Sequence, residues 1–126
     1  MEEQWDKSGF SYRDHLGQDR WESFTPSRTG WTDVGTPTVT GLYRSVGKQC
    51  FFMVEVVPGT TVSTSVTSYV NLPITATGLS GMATMINSTS SVSVGVCAIS
   101  VSSSRVYTPG QGTTANTLLI AGWYQI

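Results

Sequence analysis

The side chains that could perform acid–base or nucleophilic chemistry are few in this sequence of 126 residues. Beyond residue 23 the only carboxylates are Asp33 and Glu55, and the single histidine, His15, precedes them. Two carboxylates that hydrolyse a glycosidic bond must lie within about 5–10 Å of each other. Only the fold, or a subunit boundary, could bring Asp33 and Glu55 that close. We therefore predict no catalytic residues and no enzyme activity; a depolymerase that uses an Asp33/Glu55 pair is the alternative from the enzyme class.

Metal and cofactor sites also lack their usual ligands. One histidine, two cysteines and isolated carboxylates form no cluster at a spacing typical of metal ligands. The glycine-rich patterns that bind phosphate groups are missing as well. We predict no metal and no cofactor. Because Cys50 and Cys97 lie on separate apolar runs without a histidine nearby, we expect two reduced, buried thiols.

Net charge and hydropathy exclude two classes of partner. The formal net charge is −1 at pH 7, so the chain offers little electrostatic attraction to nucleic acid. No apolar run approaches the ~20 residues that a membrane-spanning helix needs. We expect no nucleic-acid partner and no membrane insertion.

The remaining chemistry is that of aromatic side chains in a polar background. Trp31, Tyr69 and Tyr107 lie near turn residues and among Ser, Thr and Asn. Such side chains bury apolar area while they keep hydrogen-bond partners, which suits a neutral sugar ring or a protein surface. We predict these three as candidate ligand contacts. The alternative for each is a place in the core or in a subunit interface.

Charge divides the chain into a head and a body. Nine of the fifteen charged side chains lie in residues 1–22, and Pro26 and Gly30 then interrupt any regular element. We predict an extended N-terminal arm over residues 1–23 and a folded body over residues 24–126. Because disordered tails contain few aromatic residues, we expect the arm to dock on another protein. The predicted anchors are Trp5, Phe10, Tyr12 and Trp21.

Short apolar runs separated by turn residues predict an all-β body. Residues 38–46 and 49–57 flank Gly47–Lys48, which fits a hairpin. In residues 91–101 the apolar positions change parity, which indicates a bulge or a crossing between sheets. The further predicted strands are 61–66, 68–73, 82–87, 91–101 and 117–126. This succession is typical of an antiparallel β-sandwich.

The longest strands are predicted to be apolar on both faces. In residues 49–57 and 118–124 both parities are largely apolar, and charged residues make up only 12% of the chain. Surface charge normally keeps a monomer soluble, so two explanations compete: Ser and Thr hydroxyls alone provide the solvated surface, or copies of the same chain cover part of the surface in a closed assembly. The two apolar faces favour the second. We predict a homotrimer.

Four segments carry a resemblance to a known family. They are FTPSRTGW (24–31), TVTGLYRSVGKQCFFMVEVV (38–57), NLPITATG (71–78) and TLLIAGWYQI (117–126). Gly41, Tyr43, Arg44, Gly47 and Lys48 match the hairpin motif of that family. Leu72–Pro73 match its later Leu-Pro pair. In this order the segments resemble the distal β-sandwich modules of tailed-bacteriophage tail fibre and tailspike proteins, over residues 24–126.

The resemblance implies a fold, an assembly and a role. The fold would be an antiparallel, jelly-roll-like β-sandwich, trimeric around a threefold axis. The role would be that of a non-enzymatic virion structural protein, made in the host cytoplasm, that attaches the tail to a host-surface glycan and contributes to fibre assembly. The arm would contact another virion protein. The alternative is a capsid decoration, cement or head-fibre protein that braces virion subunits.

Family modules of this kind usually end a long fibre chain, whereas this sequence begins at Met1 with a short head. Three interpretations follow: a short stand-alone virion protein, the product of an internal start within a fibre gene, or a fragment of a longer fibre. The predicted docking arm favours the first.

Overall fold

A computed structural model of the chain describes residues 20–78 and 80–126. These residues form twelve β-strands and no helix. The strands are β1 (Glu22–Phe24), β2 (Arg28–Thr29), β3 (Thr32–Val34), β4 (Thr38–Val46), β5 (Gln49–Val57), β6 (Thr61–Thr64), β7 (Tyr69–Asn71), β8 (Gly81–Asn87), β9 (Val92–Ser100), β10 (Arg105–Tyr107), β11 (Gln111–Thr114) and β12 (Leu118–Gln125).

All strand pairs are antiparallel, and they build two sheets from the described residues. The large sheet has nine strands in the order β1-β4-β5-β12-β8-β9-β10-β7-β2, and the small sheet has the order β11-β6-β3. Both sheets curl into a sandwich-like half-barrel. The predicted all-β antiparallel sandwich is therefore confirmed. Of the predicted arm, residues 1–19, with Trp5, Phe10 and Tyr12, lie outside the described residues.

The central strands of the large sheet carry the core on one face. In β5 every second residue is buried, because successive side chains of a strand point to opposite faces. The buried residues are Cys50, Phe52, Val54 and Val56. The neighbouring strand β12 contributes Leu118, Ile120 and Tyr124. Val62 of β6, from the small sheet, packs into the same cluster. The core thus fills the concave side of the curled sheet.

The register around the body begins at β1. Glu22, Ser23 and Phe24 pair with Tyr43, Leu42 and Gly41 of β4. Strand pairing of the body therefore starts at residue 22, and β1 contains the residues on both sides of the predicted boundary between arm and body.

The predicted change of parity in residues 91–101 is confirmed as a bulge in β9. The register between β8 and β9 shifts between Met85 and Ile86, opposite Gly95. Gly95 has a φ of 157°. After the bulge Cys97 faces the core and Val96 faces solvent. The remainder of β9 pairs with β10, so this strand joins the two halves of the large sheet.

The hydroxyl of Tyr124 fixes the loop after β7 to the core. It accepts a hydrogen bond from the Ile74 N–H at 3.0 Å and donates one to the Ile74 carbonyl at 2.7 Å. Tyr124→Phe leaves both groups without this partner, and we expect the free energy of unfolding to fall by about 2 kcal/mol. Urea denaturation measures this. The control is Tyr43→Phe, whose hydroxyl bonds the exposed Glu22 and whose loss should change stability by less than about 0.5 kcal/mol. Equal effects of the two variants would contradict this role.

Cys50 and Cys97 are both free thiols and both buried, as predicted. Burial raises the pKa of Cys97 to about 12, whereas the thiol pKa in an unfolded chain is about 8.5. Between these values the folded chain binds more protons than the unfolded chain, so the free energy of unfolding decreases as pH rises. Urea titrations from pH 7 to pH 10.5 should show this decrease, and Cys97→Ala should make it smaller. Part of the decrease should remain, because burial also raises the pKa of Cys50. Parallel profiles for the two proteins would contradict the expected proton linkage.

Candidate functional site

The face of the large sheet that points away from the core carries an unusual set of side chains. We call twelve of the outward side chains of β4, β5, β12, β8 and β9 the outer face. It consists of Leu42, Arg44, Phe51, Met53, Glu55, Leu119, Ala121, Trp123, Met82, Thr84, Ile86 and Val96. Along each strand, these outward residues alternate with residues that face the core or its edge.

The strand register aligns the outer face in rows across the sheet. In one row Arg44 lies opposite Phe51, Phe51 opposite Trp123, and Trp123 opposite Met82. The next row, two residues along, consists of Leu42, Met53, Ala121, Thr84 and Val96. Directly opposed side chains of adjacent strands lie about 5 Å apart. The rows therefore form one continuous, mainly apolar surface.

Two large apolar side chains of the outer face are mostly exposed to solvent in the single chain, and the others are half-buried. Val96 is 75% exposed and Met82 is 64% exposed. The face carries only two charges, Arg44 and Glu55, which the register places at different rows. Single exposed apolar residues are ordinary, but contiguous apolar patches mark interaction surfaces. The outer face is thus the candidate protein interface of this chain.

Trp21, the one predicted arm anchor among the described residues, lies at the border of this face. The guanidinium of Arg44 lies 5.5 Å from the Trp21 ring centre and 5.4 Å from that of Phe51. Both distances are in the range of cation–π interactions. Arg44 therefore connects the start of the described chain with the aromatic row on β5.

A second feature lies on β7 and β10, farther along the same sheet. Val70 and Val106 are fully buried, so their strand neighbours point outward. Tyr69 and Tyr107 lie directly opposite each other, with ring centres 5.3 Å apart at an interplanar angle of 54°. Arg105 lies two residues before Tyr107 and shares its face. We call Arg105, Tyr69 and Tyr107 the arginine–tyrosine cluster.

Arg105 is held by both tyrosines. Its guanidinium carbon lies 4.1 Å from the centre of the Tyr69 ring, and its Nη1 donates a hydrogen bond to the Tyr107 hydroxyl at 3.4 Å. The hydrogen bond with Tyr107 is the main cause that raises the pKa of Arg105, which keeps the guanidinium charged. None of the described carboxylates forms an ion pair with it. The cluster is therefore a positive charge placed on an aromatic surface.

Polar side chains flank the cluster. Asn71 of β7 and Ser100 of β9 lie opposite Arg105 on its two sides. The Ser103 hydroxyl donates a hydrogen bond to the Ser100 hydroxyl at 2.7 Å. Hydroxyl and amide groups thus border the guanidinium on both neighbouring strands.

The three predicted ligand contacts lie in the same region but have different environments. Trp31 donates its indole N–H to the backbone carbonyl of Tyr69 at 3.3 Å and packs against the core. Arg28 lies over its ring at 5.0 Å. Tyr69 and Tyr107 instead form the cluster with Arg105, which sequence reasoning missed. No strand was predicted over residues 105–107, which form β10. Recognising that strand would have placed Arg105 and Tyr107, two residues apart, on one face.

The two body carboxylates lie on different sheets. Asp33 of β3 accepts two hydrogen bonds from Arg28, at 2.9 and 3.1 Å, in a bidentate ion pair. Glu55 lies on the outer face, opposite Thr40 and Leu119. Among the described residues no three metal-ligating side chains cluster. The described residues also include no helix that is long and apolar enough to cross a bilayer.

Comparisons with known proteins were made by sequence and by structure. No protein-family model matches the chain, and no significant match was found among curated proteins or solved structures. The fold and the two surfaces therefore define the class of this protein: an all-β, antiparallel half-barrel with an apolar outer face and a separate arginine–tyrosine cluster.

Proposed function

We propose that this chain is a non-enzymatic structural protein of a tailed-phage virion, a trimeric tail fibre or tailspike module that attaches to a host-surface glycan. The observation that carries the proposal is the outer face, on which Met82 and Val96 are mostly exposed beside Phe51 and Trp123. The sequence resemblance supplies the viral context. The outer face supplies the physical reason for assembly.

The occupant of the outer face is further copies of this chain. Interfaces between subunits are enriched in aromatic residues, Met and Arg and depleted in Lys, Glu and Asp. The outer face has Trp123, Phe51 and Arg44 in one row, and Glu55 is the one carboxylate among its twelve side chains. Most homo-oligomers close around a symmetry axis. In a trimer, one part of the outer face would contact a different part of the outer face on the next copy. The threefold axis is taken from the family that the sequence resembles.

The glycan contact is assigned to the other half of the sheet. Tyr69 and Tyr107 lie on β7 and β10, beyond β9 and outside the defined outer face. Their rings and the bordering hydroxyl and amide groups offer the combination that a sugar uses, with apolar faces and hydrogen-bond partners. Assembly through the outer face leaves this half of the sheet for a ligand.

Residues 1–23 are proposed to dock on another virion protein. A variant that lacks residues 1–19 retains every described strand, so we expect it to fold and to lose incorporation into particles. Quantitative immunoblotting of purified particles, against the full chain as control, measures the incorporation. Equal incorporation of both chains would contradict the docking role.

The virion role is tested by locating the full chain in particles of the phage that encodes it. Gold-labelled antibodies against the chain and electron microscopy should place it at the distal end of the tail. Labels distributed over the capsid would instead support the decoration or head-fibre alternative. Particles without the chain would contradict both roles.

A further inference from the structure

We infer that the arginine–tyrosine cluster binds an acidic saccharide through the carboxylate of a uronate residue. This inference rests on the proposed attachment function and makes it more specific, because that function alone names no class of glycan. It is carried by the geometry of Arg105, which two aromatic side chains hold in place on the sheet surface, where all three side chains are half-buried.

The guanidinium of Arg105 is positioned before any ligand arrives. It is stacked over Tyr69 at 4.1 Å and donates one hydrogen bond to Tyr107. A guanidinium has five N–H donors in a planar fork, which matches the two oxygens of a carboxylate. Within residues 20–78 and 80–126, one of the five donates a hydrogen bond, to Tyr107, and no carboxylate pairs with Arg105. A rigid donor group with unused N–H groups costs little entropy to bind an anion.

The charge around the cluster selects a singly charged ligand. Arg28, the nearest other arginine in the β2-β7-β10 part of the sheet order, is paired with Asp33. One guanidinium neutralises one carboxylate, whereas a phosphate group carries up to two negative charges. We therefore favour a uronate over a phosphorylated sugar.

The surroundings of Arg105 suit the rest of a sugar ring. Arg105 occupies one face of Tyr69. The ring of Tyr107 contacts Tyr69 and is half-buried, so part of it remains accessible to the C–H face of a sugar. Asn71 and Ser100 lie opposite Arg105 on the two neighbouring strands and can bond sugar hydroxyl groups. Charge, aromatic surface and polar groups thus lie together within three adjacent strands.

The experiment uses the full chain and isothermal titration calorimetry with short oligosaccharides. The uronate probes are oligogalacturonate, oligomannuronate and a hyaluronan tetrasaccharide. Each is paired with its methyl ester, which keeps the shape and removes the charge. Galactose 6-phosphate tests the phosphate alternative. We expect at least one uronate probe to bind, with its methyl ester at least about tenfold weaker because the charge-assisted hydrogen bonds are lost.

Variants of the cluster assign the site. Arg105→Ala should weaken uronate binding by about tenfold or more, and Arg105→Lys, which keeps the charge but not the planar fork, by a smaller factor. Tyr107→Phe removes the hydroxyl that holds the guanidinium and should also weaken binding. The control is Lys48→Ala at the β4–β5 turn, which removes one positive charge away from the cluster and should leave binding unchanged. Matching thermal midpoints establish that each variant is folded.

Three results would overturn the inference: no uronate probe binds, an ester binds as tightly as its acid, or all cluster variants bind like the full chain. Binding of galactose 6-phosphate alone would overturn it as well.

Failure of the proposed function is distinguishable from failure of this inference, because particle location and assembly do not involve Arg105. A trimer at the tail tip without uronate binding contradicts this site alone. Uronate binding by a chain that particles lack contradicts the virion role alone.

Discussion

Val96→Glu and Met82→Glu are each expected to convert the proposed trimer into monomers. Both side chains lie on the outer face, at 75% and 64% exposure in the single chain. In the assembly each replacement would bury a carboxylate without a partner, which costs several kcal/mol per subunit. Because both side chains are exposed in the single chain, we expect its fold to survive. Light scattering at micromolar concentration should show a loss of two thirds of the mass.

The matched control for these variants is Val66→Glu. Val66 is 73% exposed, but it lies in the turn between β6 and β7, away from the outer face. The same change in charge and volume should leave the mass unchanged there. A mass that is unaffected by glutamate at Val96 and Met82 would contradict the assignment of the interface to the outer face. Dissociation by all three variants would mean that added negative charge anywhere on the chain disrupts the assembly, and would contradict the assignment of the interface as well.

Gly122→Ala is expected to cost about 3 kcal/mol or more of folding free energy. Gly122 lies in the middle of β12, paired with Phe52 on one side and Ala83 on the other. A Cβ atom there would overlap the Met82 carbonyl oxygen and lie 2.6 Å from the Ala83 Cβ, closer than real Cβ atoms come. The absence of a side chain lets β8 and β12 approach where the sheet curls. Circular dichroism and urea denaturation measure the loss.

Gly112→Ala is the control for this glycine. Gly112 lies in β11, and a Cβ there would meet no atom within 4 Å. Its replacement should change stability by no more than about 0.5 kcal/mol. A Gly122→Ala variant as stable as Gly112→Ala would mean that the sheet does not need the close approach of β8 and β12.

Local signals in the sequence predicted the longest strands well. Strands β4 and β5 coincide with the predicted runs, because two nine-residue runs rich in β-branched and aromatic residues on either side of Gly47–Lys48 form a strong hairpin pattern. The bulge in β9 was also readable from a change of parity. In contrast β2, with two residues, and β3, with three, carry no alternation. Their strand structure depends on pairing with β7 and β6, which are distant in sequence.

The candidate sites were predictable only in part, for the same reason. The apolar outward residues of β5 and β12 indicated an interface, since alternation assigns them to one face. Which residues of the two strands lie opposite each other follows from long-range register, as in the pair Phe51 and Trp123. Likewise, aromatic type and turn context selected Tyr69 and Tyr107. Only the β7–β10 register shows that they share a face with Arg105.

The solution mass of the full chain tests the central claim most directly. Light scattering coupled to gel filtration, over a concentration series from 1 to 100 μM, gives the mass independently of shape. A surface like the outer face should keep the assembly closed throughout this range. We predict three times the chain mass of 13.5 kDa at every concentration. A single-chain mass up to the highest concentration would contradict the proposed assembly and the interface assigned to the outer face.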